Sequence, residues 1–119
     1  MIELKVLNYL TTKANAEKVP VPVYMELPDK LLDAMYIVQK TSDQETDHIG
    51  HAVIAVQSYG TSKYHAAQLD ATMRGYMDSI TAETNISGLS INAKGIDFPD
   101  TINKRYRYQS LFAIDYMED

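Results

Sequence analysis

The stretch HAVIAVQSYGTSKYHAAQLD, residues 51–70, decides the fold of this chain. A short, continuous apolar run precedes Tyr59-Gly60-Thr61, and beyond that turn Ala66, Leu69 and Met73 recur at spacings of three and four. The first pattern is typical of a buried strand and the second of an amphipathic helix. Thr61 or Ser62 can cap that helix. The sequence therefore predicts a strand, a tight turn and a long helix at the centre of the fold.

Further elements are predicted on both sides of this unit, from the same two periodicities. Residues 2–15 show a helical apolar stripe, and the prolines at 20 and 22 predict an extended edge segment over 19–26. Strands are predicted over residues 34–40, 49–59, 89–93 and 105–116, with a loop or extended bend over 95–102. The order is α-β-β-β-α-β-β. It predicts an α+β fold in one domain, 1–119, with a mostly antiparallel sheet of about four to five strands and both helices packed on it.

The most polar segment of the chain is residues 41–47, which carries three acids and no apolar residue. We interpret residues 41–50 as a polar loop or a hairpin arm. Gly75 lies inside the predicted central helix, where glycine costs about 1 kcal/mol relative to alanine. Close packing against another backbone is one reason for a glycine at that position.

The overall composition excludes several classes of function. The chain has 119 residues, a net charge of −5 and no cysteine. A net acidic chain does not have the concentrated basic face that general affinity for nucleic acid needs, and without cysteine there is no disulfide or thiolate chemistry. No apolar run is long enough to span a bilayer, and the N-terminus does not have the layout of a signal peptide. We expect a soluble, cytoplasmic protein with no membrane partner.

The three histidines are the only candidates for a metal centre. His48, His51 and His65, with acidic residues of segment 43–47 nearby, could bind zinc or another divalent ion. Positions three apart in a strand point to opposite faces, and the chain has no His-Glu-x-x-His motif. The acidic segment fails as a calcium loop because His48 stands at its sixth position and Ile54 at its twelfth. We predict no metal site and no cofactor.

Catalytic signatures are also missing from the sequence. It contains no Gly-x-Ser-x-Gly elbow, no Walker lysine loop and no Gly-x-Gly-x-x-Gly fingerprint. The sequence therefore predicts no catalytic residues.

One cluster of basic and aromatic residues stands at the start of the last strand, at Lys104–Tyr108. Strand alternation separates Arg105 and Arg107 from Tyr106 and Tyr108 onto opposite faces. We expect the tyrosines to face the core and the arginines to face solvent or an acidic partner, such as segment 43–47 of a second subunit. The candidate assembly interface comprises Asp43, Glu45, Asp47, Arg105, Arg107, Tyr106 and Tyr108.

Four stretches carry a resemblance to a known family: MIELKVLNYL from residue 1, VPVYME from 21, AVIAVQSYGTSKYHAAQL from 52 and KRYRYQSLFAIDY from 104. With these stretches the chain resembles the tail-terminator, or tail-completion, proteins of long-tailed bacteriophages and prophages of Gram-positive bacteria. The resemblance implies a homo-oligomeric ring, typically hexameric, on the head-proximal end of the tail tube. Such a ring stops tube polymerisation and offers a surface to head-completion proteins.

The resemblance also implies a structural virion protein rather than an enzyme, with DNA only as cargo passing through the ring. It would be assembled in the host cytoplasm and reside in the neck region of the tail. Three alternatives remain open. They are another head–tail neck or connector protein, a small metal-dependent enzyme built on His48, His51 and His65, and a small regulatory binding module.

Overall fold

Within the residues that the structure describes, two α-helices and five β-strands follow one another in the predicted order. The computed structural model describes residues 1–18 and 20–117. The elements are α1 (Ile2–Asn15), β1 (Val23–Tyr24), β2 (Met35–Thr46), β3 (Ile49–Gly60), α2 (Lys63–Met77), a 3-10 turn (Ile80–Ala82), β4 (Ile86–Asp97) and β5 (Tyr106–Tyr116). The predicted α+β class is confirmed.

The five strands form one sheet in the order β1-β2-β3-β5-β4. Every pairing is antiparallel except the short parallel contact between β1 and β2, so the sheet is mostly antiparallel as predicted. β1 has only two residues and lies at the edge. This position agrees with the two prolines just before it, which cannot donate hydrogen bonds to a ladder.

Both helices contribute to the main core, on one face of the sheet. Alternate residues of β3 and β5, including Ile54, Val56, Phe112 and Ile114, point to this face and are fully buried. α1 contributes Val6 and its neighbours, and α2 contributes residues such as Met73. Two tyrosines tie sheet and helices together: Tyr36 donates to the Leu69 carbonyl oxygen at 3.0 Å and Tyr9 to that of Tyr76 at 2.6 Å.

The opposite face of the sheet has much less cover. At one end, Met35, Ile37 and Tyr59 form a small buried cluster beneath the segment that joins β1 to β2. Farther along, the side chains of Val53, Leu111 and Ala113 point away from the helices and are only partly buried. The sheet therefore has one face inside the main core and an opposite face that is covered at one end and partly exposed at Val53, Leu111 and Ala113.

The predicted polar segment forms a hairpin arm. β2 and β3 pair continuously from Met35↔Tyr59 to Thr46↔Ile49, so residues 41–46 are strand and the loop interpretation is wrong for them. The turn is only Asp47 and His48, both with positive φ. A β-bulge between Lys40 and Ser42 shifts the register by one residue. As a result Asp43 and Glu45 lie on the helix-bearing side of the sheet.

Two smaller expectations are corrected. The strand predicted over 89–93 extends from Ile86 to Asp97, so the predicted loop at 95–102 begins too early. Gly75 does not pack closely against another backbone, because a Cβ built there has nothing within 4 Å. The close approach is instead at Gly60, where a Cβ would lie 2.6 Å from the Ala66 nitrogen. That glycine lets α2 begin directly against the end of β3.

Candidate assembly interface

The acidic residues of the arm are held in different ways. Asp43 is tied down: the Tyr116 hydroxyl donates to its two carboxylate oxygens at 2.7 and 2.8 Å, and Lys40 lies 3.2 Å from Oδ2. Glu45 and Asp47 are exposed and form no ion pair within residues 1–18 and 20–117. Only these two are therefore available as unengaged charges for a partner.

The pKa of Asp43 is held below its ordinary value. The hydrogen bond from Tyr116 is the main cause, and the hydrogen bond and charge of Lys40 act in the same direction, against a smaller effect of burial. Lys40 also contacts Glu3 of α1 at 3.4 Å. This network joins the base of the arm to the last strand and to the first helix.

The two arginines of the basic–aromatic cluster are engaged within the subunit. Arg107 donates from Nε to the Phe98 carbonyl oxygen at 2.7 Å, and its guanidinium lies 4.2 Å from the centre of the Phe98 ring. Arg105 donates from Nη2 to the carbonyl oxygens of Leu32 and Asp33 at 2.7 and 3.2 Å. Both arginines lie on the side of β5 away from the helices, as alternation predicts, but they are only partly exposed because carbonyl oxygens and aromatic rings of their own chain contact them. Contact with an acidic partner stays a prediction.

The tyrosines of the cluster also differ from expectation. Tyr106 and Tyr108 lie on the helix-bearing side of β5, as alternation predicts. They stand near the end of the sheet, however, and Tyr106 is 50% exposed while Tyr108 is only partly buried. The Tyr106 ring is thus a surface feature rather than a core residue.

The arm and the basic–aromatic cluster lie at opposite ends of the sheet. In the ladder of β3 and β5, Gly50 pairs with Tyr116 at the arm end and Gly60 pairs with Tyr106 at the other. At about 3.4 Å per residue these ends are roughly 30 Å apart. Contact between the acidic arm and the arginines within one subunit is thereby excluded, and contact between two subunits stays a prediction.

The three histidines do not converge. His51 pairs with Asp115 through Nδ1 at 2.6 Å near the arm, and His48 is part of the hairpin turn. His65 lies in the first turn of α2, where its Nδ1 accepts the Thr61 backbone N–H at 3.0 Å and its own N–H donates to the Ser62 hydroxyl. Across residues 1–18 and 20–117, no three metal-ligating side chains come together. The alternative of a three-histidine enzyme therefore has no assembled centre in this structure.

One buried carboxylate could suggest catalysis, but it is sealed from solvent. Asp70 in α2 accepts from the Ser110 hydroxyl at 2.7 Å and from Arg74 Nε at 2.8 Å, and its side chain is 1% exposed. The Ser110 hydroxyl in turn accepts the Gly95 backbone N–H. A substrate cannot reach the Asp70 carboxylate. Its hydrogen bond to Ser110 joins α2 to β5, and the bond from Gly95 to Ser110 extends this link to β4.

The structure shows one surface feature that the sequence reading missed. The loop between β4 and β5 closes as a small hairpin with an isolated bridge from Asp100 to Arg105, and Ile102 at its tip is 90% exposed. Asp100 is buried and accepts from the Tyr59 hydroxyl at 2.9 Å and from Asn103 at 3.1 Å (backbone) and 2.9 Å (side chain). An isoleucine flanked by turn-forming residues was the available signal.

The pKa of Asp100 is lowered despite its burial. Loss of solvent raises the pKa, but the hydrogen bonds from Asn103 and Tyr59 and the charge of Arg107 outweigh that effect. A charged, fully bonded aspartate therefore sits at the root of the exposed loop and fixes its conformation.

No described helix is long and apolar enough to cross a membrane. The sequence matches no protein-family model and none of the curated proteins. The case for a function thus comes from the residues and their arrangement.

Proposed function

We propose that this protein is a tail-terminator protein, which assembles as a ring on the head-proximal end of a long phage tail tube. The four stretches that resemble this family include both ends of the main ladder and the start of α2. The structural observation that favours an assembling subunit is the sheet face away from the helices, where the apolar side chains of Val53, Leu111 and Ala113 remain partly exposed. Apolar side chains on such a face are stabilised when a partner buries them.

The arm suits a role in assembly for a second reason. The principal dimensions of the molecule, with the arm included, are 43 × 29 × 25 Å, and all of β2 from Gln39 onward is exposed. An element that buries so little in its own subunit contributes little to that subunit's stability. Contact with a neighbouring subunit or with the tail tube would bury side chains of the arm that stay exposed in the isolated subunit.

The charge of the chain is consistent with DNA as passing cargo. A ring of subunits that each carry a net charge of −5 does not grip phosphates as they move through its lumen. In this proposal the ring ends tube growth at one surface and offers the other to a head-completion protein, and no cofactor takes part.

The deciding experiment is the solution mass of the purified protein by light scattering across concentrations, alone and with isolated tail tubes. The tubes come from the phage or prophage that encodes the chain. A closed ring of several subunits, free or on tube ends, is the expected result. A monomer that ignores tubes at every concentration overturns the proposal, and binding to DNA-filled heads instead of tubes identifies a connector protein.

The arm can be tested separately by charge reversal of Glu45 and Asp47 to lysine. Both side chains are exposed, so the fold should survive while ring formation or tube binding weakens. The matched control replaces Gln44 and Thr46, which are uncharged residues of the same strand, with alanine. If the charge-reversed protein and the control protein assemble equally well, the arm is not part of the interface. Arginine reversal is a poorer test because Arg105 and Arg107 support their own subunit.

A further inference from the structure

The loop Asp100–Arg105 presents an apolar side chain to water in a fixed position. Ile102 is 90% exposed, the highest exposure of any large hydrophobic side chain among residues 1–18 and 20–117. Its loop does not depend on that side chain for its shape. Asp100 binds Asn103 and Tyr59, and Arg105 is anchored on the Leu32 carbonyl oxygen. We call residues 101–104, with Ile102 at the tip, the knob.

A preformed knob binds at a lower entropic cost than a mobile loop, because the ordering has already taken place in the free protein. The cost of exposing isoleucine is also recovered only when the side chain enters an apolar site. Together these properties are typical of an anchor residue in a protein–protein contact.

The same chain carries an apolar groove at the β1 edge of the sheet. The groove has a volume of about 540 Å³ and lies between α1 and the segment that follows β1. Leu7, Met25 and Leu27 supply its apolar lining, and Met25 and Leu27 are 38% and 40% exposed. Glu26 and Asp29 belong to the same lining, so two acids share the groove with its apolar side chains.

The charges of knob and groove are complementary. Lys104 stands two residues from Ile102 and has a φ of 56°, part of the tight turn of the knob. Lys104, Glu26 and Asp29 take part in no ion pair with any residue that the structure describes. An apolar tip beside one cation thus matches an apolar floor beside two anions.

We propose that the knob of one copy of this chain docks into the groove of a second copy. Ile102 enters the apolar floor, and Lys104 pairs with Glu26 and Asp29 at the rim. The knob extends from β4 and β5 and the groove lies beside β1, with β2 and β3 between them in the sheet. Both lie at the same end of the sheet, where Arg105 binds the Leu32 carbonyl oxygen just beyond the groove segment. In the proposed ring each subunit gives its knob to one neighbour and receives that of another.

When each knob enters the groove of a different neighbour, the contact is heterologous and produces a closed ring or an open filament, whereas reciprocal exchange between two copies produces a dimer. The proposed ring requires the heterologous arrangement. The inference rests on the self-association in the proposed function and names the residues that carry it. It is independent of whether the ring binds a tail tube.

Charge swapping tests the contact. Relative to the wild type, Ile102→Ser should weaken self-association roughly 10- to 100-fold, as loss of one buried aliphatic side chain predicts. Lys104→Glu and the pair Glu26→Lys with Asp29→Lys should each weaken it as well. Combining all three charge changes in one chain should restore it. Tyr64→Ser on α2, where Tyr64 is 72% exposed, is the matched control and should assemble normally.

Cysteine cross-linking gives a direct readout because the chain has no cysteine of its own. A protein with Ile102→Cys and Leu27→Cys should form inter-subunit disulfides under mild oxidation and run as a ladder of covalent oligomers. Either single variant should not form that ladder. Circular dichroism of every variant checks that the fold is retained.

The outcomes separate the two proposals. A wild-type protein that assembles, together with charge variants that assemble equally well and no disulfide ladder, overturns the knob contact and leaves the ring intact. A wild-type protein that stays monomeric with and without tubes overturns the proposed function and the knob contact with it. Rescue by the combined charge swap, together with the ladder, is the result that supports the contact.

Discussion

The β2–β3 hairpin has two halves of similar length and very different surroundings. In the body half, Met35–Val38 pair with Val56–Tyr59 and every one of these residues is buried. In the arm half, residues 42–46 pair with 49–53 in an equally regular ladder, yet every one of the β2 residues is exposed. In the arm half only the β3 strand reaches the core, through Ala52, so the same backbone hydrogen-bonding pattern holds a buried segment of β2 and an exposed one.

The difference shows what holds each half in place. The body half is stabilised by apolar burial on both faces of the sheet. The arm half depends on its ladder and on a few side-chain bonds, of which Tyr116 to Asp43 and the Thr41 hydroxyl to the Val53 carbonyl oxygen are the best defined. We expect the body to set the free energy of unfolding and the arm to open locally at lower cost.

The largest expected effect compares one substitution in both halves of β3. Ile54→Ala removes a fully buried side chain and should lower the free energy of unfolding by about 2–5 kcal/mol. Ile49→Ala, in the arm, removes a side chain that is 36% exposed and should cost about 1 kcal/mol or less. Chemical denaturation followed by circular dichroism measures both. Equal losses would mean that the arm is part of the cooperative core.

The two glycines at the ends of β3 give the next comparison. A Cβ at Gly60 meets the backbone of Ala66, which cannot move without shifting α2, so Gly60→Ala should destabilise by about 1–3 kcal/mol. A Cβ at Gly50 meets the ring of Tyr116 at 2.3 Å, and this side chain can move only by giving up its hydrogen bond to Asp43, which costs less than a shift of the α2 backbone. Thermal unfolding should therefore show the smaller loss for Gly50→Ala, with the reverse order contradicting this account.

Tyr116→Phe should loosen the base of the arm at a cost of about 1 kcal/mol. Because folding lowers the pKa of Asp43, its contribution is fully present above the unfolded pKa of about 4 and is lost as the pH falls through the folded pKa. The variant should thus lose less stability than the wild type on acidification below about pH 4. Denaturation at a series of pH values measures this. Parallel pH profiles would show that Tyr116 does not set the pKa of Asp43.

The smallest effect is a gain. Gly75→Ala fills open space on α2 and should stabilise the body by about 0.5–1 kcal/mol. Amide hydrogen exchange of this variant compares the two halves of the hairpin. Protection of amides in the body half should rise, and protection of amides in the arm half should stay unchanged. A parallel rise in both would show that the arm opens only with the whole molecule.

The elements that the sequence predicted well are those with a buried face. β5 alternates without interruption, and its helix-facing side chains from Ser110 to Tyr116 are all buried. The arm was ambiguous because both faces of residues 42–46 are polar, so no alternation of burial could reveal the strand. Its turn also uses Asp47 and His48 at positive φ, where glycine or asparagine is the usual signal.

The candidate interface was predictable only in part. The acidic arm residues followed from composition; all three are exposed, and Glu45 and Asp47 form no ion pair with any residue that the structure describes. The roles of Arg105 and Arg107 could not be read from strand alternation, because Leu32, Tyr59 and Phe98 reach them from distant or non-adjacent parts of the chain. The knob was missed for the same reason: the bond that anchors it joins residues 41 positions apart.

The bulge between Lys40 and Ser42 determines which residues of the arm face the helices. Before it, even-numbered residues of β2 face the helices, and after it odd-numbered residues do. Thr41 is the extra residue of the bulge, and its deletion would leave Asp43 opposite Ala52 and Glu45 opposite Gly50, on the same face as before. If Thr41 instead paired with Val53 in a regular ladder, Asp43 and Glu45 would move to the side of the sheet away from the helices. The bulge thus decides which side chains the arm offers to a neighbour.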